Sequence, residues 1–247
     1  MAKSRPFLTA EWRYLVMLNY DVPPGLLEPY VPAGTILDLW QGKTYVSLVG
    51  FLFQNTRLLG CPIPGHRHFE ELNLRFYVRR EVDGEVRRGV TFLKELVPRS
   101  AIARVARRVY NEPYESRPMR HSMIPPASSG GLPSRVEYSW REDAGQWGRI
   151  SFIPAGPPES LVPGSEAEFI TEHYWGYTRQ RDGGTIEYQV THPAWQVAPA
   201  ASTAVEGDLE TLSGASLATF LRGGPTSAFL ATGSAVTVYR PVRIPIR

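Results

Sequence analysis

The chain has 247 residues, 43% of them hydrophobic and 21% charged, with a formal net charge of +3 at pH 7. That apolar share is enough to bury a core and excludes general disorder. So small a charge, spread over the whole length, argues against nucleic acid as a partner, because such binding needs a clustered basic face.

A single cysteine, Cys61, excludes an internal disulfide framework and a cysteine-based zinc cluster. Glycine and proline supply 22 residues each, so turns are frequent. Every basic residue except Lys3, Lys43 and Lys94 is arginine. The opening MAKSRPFLTAEW carries basic residues with no apolar stretch behind them, and no run approaches the roughly 20 apolar residues that cross a bilayer. The expectation is one domain over residues 1–247, soluble and cytoplasmic, with no membrane partner.

Asp21 to Pro32 predicts a turn and one short helix. Thr44 to Thr56 is apolar on both faces, as in a strand buried on both sides. Leu58 to Gly65 predicts a loop. Phe69 to Arg79 alternates, with Leu72, Leu74, Phe76 and Val78 on one face and Glu71, Asn73, Arg75 and Tyr77 on the other. Asp83-Gly84 is a hairpin signal that sets Arg88 to Val97 antiparallel to that strand.

Ser100 to Tyr110 has helical spacing, with arginines at 104, 107 and 108 opposite the apolar stripe. Further strands are predicted over 135–140, 148–152, 171–179, 185–190 and 236–244, and a second helix over 209–221. Many short strands with two or three helices predict an α+β domain on a strongly curved antiparallel sheet, a barrel or cone.

Lys94 is the most informative single residue, an amine in a run otherwise fit for a buried strand. Period two puts Phe92, Lys94 and Leu96 on one side and Leu93, Glu95 and Val97 on the other. A buried amine loses basicity and can attack a carbonyl as a Schiff-base nucleophile. An edge-strand lysine with its head in water is the plainer alternative. Glu71, Asn73 and Arg75 make either a solvated face or the lumen of a barrel, where Glu71 would carry protons and Arg75 would hold an anion. His66, His68 and Glu70 alternate in a way that matches a metal set, but the spacing is common by chance, and neither a metal nor a cofactor is expected. Aromatic residues crowd His173 and His192, among them Tyr174, Tyr177, Tyr188 and Trp195. These could wall an apolar pocket or form core and rim. Phosphate loops, a G-x-S-x-G elbow and H-E-x-x-H do not occur.

The stretches FLTAEWRYLVMLNYDV, LEPYVPAGTILDLWQGKTYVSLVGFLF, FEELNLRFYV, GVTFLKELVPRSAIARVARRVYNEPY, EYQVTHPAWQV and SAFLATGSAVTVY resemble the YqjF-like family of bacterial domains. That family is grouped with acetoacetate decarboxylase and its relatives. The resemblance implies a β-barrel or cone around a cavity in which a lysine forms a Schiff base with a keto acid. In the decarboxylase a second lysine follows the reactive one; here Glu95 follows Lys94.

Two functions follow as expectations. One is a lyase acting on a small keto acid or related carbonyl compound. Lys94 would be its nucleophile, Glu71 its proton carrier, and Arg75, Asn73 or His121 would hold the substrate. The other is a binding protein for a small apolar or aromatic ligand, walled by Tyr174 and His192. A small molecule is the expected partner, and a homo-oligomer is left open.

Overall fold

A 17-residue strand, β1 (Pro6–Val22), opens the fold. Its stretch from Leu15 to Tyr20 is buried throughout, so it lacks the alternation that marks a half-exposed strand. It is absent from the elements predicted above. The computed structural model describes residues 5–126 and 131–245.

After β1 the predicted short helix is two 3₁₀ turns, Pro24–Leu26 and Glu28–Tyr30. Then come β2 (Ile36–Leu37), β3 (Thr44–Leu58), β4 (Cys61–Pro62), β5 (Phe69–Val82) and β6 (Glu85–Val97). The predicted 58–65 loop thus contains a two-residue strand that pairs back on β3. Helix α1 (Ser100–Val109) follows, then β7 (Tyr114–Ser116), β8 (Met119–Ile124), β9 (Arg135–Arg141), β10 (Trp147–Pro154) and β11 (Glu159–Ser160).

Helix α2 (Glu166–Thr171) ends on the first residue of the segment read as strand over 171–179. Ser165 caps it by accepting from the Glu168 amide, and the strand proper is β12 (Trp175–Arg179). The chain continues with β13 (Thr185–Thr191) and β14 (Gln196–Glu206). The predicted helix over 209–221 is two, α3 (Leu209–Ser213) and α4 (Ala215–Arg222), divided at Gly214, whose φ of 79° ends the first. The last strands are β15 (Ser227–Tyr239) and β16 (Val242–Ile244).

The described strands form one strongly curved sheet. Seven of them, in the order β13-β12-β6-β5-β3-β1-β15, bend into a ring because β13 also pairs with β15. Two contacts in this ring are short: β12 meets β6 in parallel over two residue pairs, and β13 meets β15 over two. The sheet is therefore curved into a cone rather than closed along its full length. The α+β curved-sheet class expected from the sequence is the class observed.

The two faces of β5 do different jobs. Leu72, Leu74, Phe76 and Val78 pack outward with Val136 and Ile150 from β9 and β10, and with Leu212, Leu217 and Leu221 from α3 and α4. Each such buried side chain contributes about 1.5–3 kcal/mol. The other face carries Phe69 and Tyr77, which join Val49, Phe51, Val90 and Ala103 of α1.

The β5–β6 hairpin turns at Asp83-Gly84, both with positive φ, as a tight two-residue turn requires. Its ladder is irregular at one point. Leu74 pairs with Lys94, but Arg75 pairs with Phe92, which leaves Leu93 as an extra residue. This bulge exchanges the faces of everything beyond it.

Candidate functional site

Inside the ring lies a cavity of about 230 Å³, and all seven ring strands contribute to its wall. Toward α1 and the 58–66 segment the wall is apolar, with Phe53, Phe69, Ile63, Ile102 and Val105. Along β5 the lining turns polar, through Glu71 and Asn73 to Arg75. Close backbone approach at the short β12–β6 contact depends on Gly89. A Cβ there would fall 2.5 Å from the Trp175 carbonyl oxygen. Beside it, Gly176 leaves room for the Tyr188 ring, whose Cζ lies 2.1 Å from where a Cβ would stand.

Three buried glutamates meet at this polar floor. Glu71, 3% exposed, accepts from Asn73 Nδ2 at 3.2 Å and from the Tyr114 hydroxyl at 3.1 Å. Glu95, 1% exposed, pairs across strands with Asn73, and its Oε2 has no protein partner. Glu112 accepts from the Tyr188 hydroxyl and from Thr178 Oγ1. Burial pushes the Glu71 carboxyl up to about 8, against the hydrogen bonds from Asn73 and Tyr114. Burial likewise takes Glu112 up to about 7. Glu95 rises well above the carboxylate range, through burial and then through the Glu112 and Glu71 charges. Carboxyls that share protons near neutrality can give or take one from a bound molecule.

A second polar group borders the same cavity. His173 lies against the Tyr77 and Phe169 rings at 4.6 and 5.2 Å. Its Nε2 stands 3.3 Å from Asp38 Oδ2, which also accepts from Arg88 Nε at 2.7 Å. These bonds hold Asp38 below the usual carboxylate range against its burial. Burial pushes His173 down to about 4, so the ring is neutral at pH 7, and Nε2–H donation to Asp38 leaves Nδ1 as an acceptor.

Of the residues singled out in the sequence, Glu71, Asn73 and Arg75 line the cavity. Lys94 does not, and this corrects the expectation that it stands beside Glu71. The Leu93 bulge turns Phe92 and Glu95 inward and Lys94 to the opposite face. There Lys94 Nζ lies 2.5 Å from Glu115, in a separate pocket with Arg117 and Asp143. Among the described residues that line the cavity, none is a lysine.

His121 is also outside. Its Nδ1 is 2.6 Å from Glu70, which alternation places on the face opposite Glu71. His192 stacks on Trp195 at 4.1 Å and lies 4.8 Å from Tyr174, whose hydroxyl donates to Glu172. That aromatic stack does not line the cavity. His66, His68 and Glu70 do not converge, since His66 Nδ1 faces the Pro64 carbonyl and Glu70 faces His121. Glu95, Glu112 and Tyr114 are polar lining residues that the sequence reading did not select, whereas His173 and Tyr188, named there among the aromatic crowd, do line the cavity. An unpaired acid next to Lys94 and the Asn111-Glu112-Pro113-Tyr114 turn were the available signals.

The sequence profile of DUF2071, described as an uncharacterized conserved protein, matches residues 9–235. The uncharacterized protein YqjF of Bacillus subtilis (strain 168) is 37% identical over 68 residues, 27% of this chain and 28% of that protein's length. The enduracididine biosynthesis enzyme MppR complexed with pyruvate superposes with a TM-score of 0.68 at 12% identity, over 100% of this chain and 93% of that one. An acetoacetate decarboxylase from Legionella pneumophila subsp. pneumophila str. Philadelphia 1 gives 0.67 at 11% identity, over 98% and 88%. An acetoacetate decarboxylase-like enzyme from Sphingomonas wittichii RW1 gives 0.63 at 12% identity, over 98% and 94%. At such identities these likenesses speak for the fold.

Proposed function

The chain belongs to the DUF2071 family, and from that premise we propose that its cavity binds a small organic molecule with an apolar body and a polar head. One observation carries this reading: a 230 Å³ hollow with an apolar wall at one end and three buried carboxyls at the other. Pockets of this character, mostly apolar with a few convergent polar groups, are the usual form of small-molecule sites. The setting assumed is one domain over residues 1–247, acting in the cytoplasm.

A second reading is a lyase-like acid–base step on a carbonyl compound. It is favoured by the Glu71 and Glu112 carboxyls near neutrality and by the fold shared with a pyruvate-bound enzyme. Glu71 keeps its role as proton carrier, with Arg75 and Asn73 as substrate holders. Schiff-base formation through Lys94 has no support, because the amine is paired with Glu115 on the far face.

The binding reading is tested by titrating 2-phenylethanol calorimetrically into the wild type and Ile102→Trp. Ile102 is a partly exposed wall residue, so the larger ring narrows the hollow with little strain elsewhere. At least tenfold weaker binding to a folded Ile102→Trp is expected; equal binding to both would overturn the assignment of the cavity.

A further inference from the structure

We propose that the floor of the cavity takes the charged head of an apolar organic amine. This deepens the small-molecule reading above and rests on it.

The first ground is charge. Glu71, Glu95 and Glu112 are buried to 3%, 1% and 7% exposure, and no ion pair to a basic side chain is formed by any of them among the described residues. Arg75 lies with its guanidinium 5.8 Å from the Tyr77 ring centroid; its charge favours the ionised Glu71, but it forms no ion pair among the described residues. Buried carboxyls without a cation are costly, and a ligand cation would supply the missing partner.

The second ground is independent of those carboxyls. Asn73 Oδ1 and His173 Nδ1 are buried on lining residues and have no hydrogen-bond partner. Asn73 is oriented by its Nδ2 donation to Glu71, and His173 by its bond to Asp38. Both unpartnered atoms are therefore acceptors, which an ammonium's three N–H donors suit and a carboxylate does not. The rings of Trp12, Phe51, Phe92 and Trp175 border the same space and supply apolar surface for the amine's organic part. Unpartnered groups able to donate, Trp12 Nε1, Arg75 Nε and the Thr56 and Tyr110 hydroxyls, are the argument for an anion instead, and the test decides between them.

An ammonium keeps its own proton, so its arrival makes a neutral carboxyl of the floor release one to solvent. The groups that face this exchange are Glu71 and Arg75 on β5, Glu95 on β6, Tyr110 and Glu112 between α1 and β7, Tyr114, Tyr188 on β13, and His173.

The experiment compares 2-phenylethylamine, 2-phenylethanol and 3-phenylpropanoate by calorimetry at pH 7, in phosphate and in HEPES. The amine is expected to bind at least tenfold tighter than the alcohol, with a buffer-dependent enthalpy that reports proton release. Glu95→Gln and Glu112→Gln, each verified as folded by its melting curve, should weaken the amine severalfold more than they weaken the alcohol. Alcohol or carboxylate binding as tight as the amine would overturn the cation proposal while the cavity stands. Failure of all three to bind would remove the cavity reading itself, and the proposal with it.

Discussion

Phe92 and Lys94 sit two residues apart on one strand yet face opposite sides of the sheet, because Leu93 is inserted between the pairs Arg75–Phe92 and Leu74–Lys94. Phe92 borders the cavity, while Lys94 pairs with Glu115 outside it. The place that a simple alternation gives to the amine is filled by Glu95, so the hollow is acidic.

Lys94 should therefore be dispensable to the cavity. Borohydride reduction in the presence of pyruvate is expected to give no mass adduct on Lys94. Its ion pair with Glu115 is partly exposed and screened, so Lys94→Ala should cost at most about 1 kcal/mol in a urea melt. A trapped Lys94 adduct would mean that the amine reaches a substrate after all.

Stability should fall on the alkaline side of neutrality. Glu71 and Glu112 have folded pKa values of about 8 and about 7, above the ordinary 4.5. Their contribution is complete below about pH 4.5 and is lost as pH rises through those values. His173 runs the other way: at about 4 against 6.5, its contribution is complete above pH 6.5 and is lost on acidification. Above pH 6.5 these groups change through the carboxyls alone, and a loss of about 3 kcal/mol by pH 8.5 is expected. Glu112→Gln should flatten that slope, and a wild-type profile that rises over the same range would contradict the buried cluster.

Gly176→Ala tests how the floor is held. The added methyl would meet the Tyr188 ring, whose Cζ lies 2.1 Å from the Cβ position. Tyr188 must then move and release Glu112, at a cost of about 1–3 kcal/mol. Denaturant melts should show that loss, together with a changed pH slope. A variant as stable as the wild type would mean that the ring is not fixed there.

Much of the ring was legible because half-buried strands announce themselves. The alternation from Phe69 to Arg79 and the Asp83-Gly84 turn give β5, its neighbour and the shared face of Glu71, Asn73 and Arg75, while leaving open whether that face meets water or a lumen. The bulge was not legible, since Leu93 carries none of the marks of a break and its insertion follows from pairing with a distant strand. Glu112 sits in a turn, and a turn's sequence says nothing about what it will face across the fold. His173 was visible only as a member of an aromatic crowd; its partner Asp38 is 135 residues away. β1 escaped notice because Glu11, Arg13 and Asn19 interrupt its apolar run, which therefore shows neither the clean alternation of β5 nor the unbroken apolar stretch that marked β3.

The two-residue contact of Trp175 and Gly176 with Gly89 and Val90 leaves the ring with unequal stiffness. Every long seam is stitched by many backbone bonds, whereas this one, like the equally short β13–β15 contact, can part while the long seams hold. Amide deuteration should consequently begin at Gly89–Val90 and lag in β1 and β3, and breathing of the wall at that point would govern how quickly a guest is exchanged.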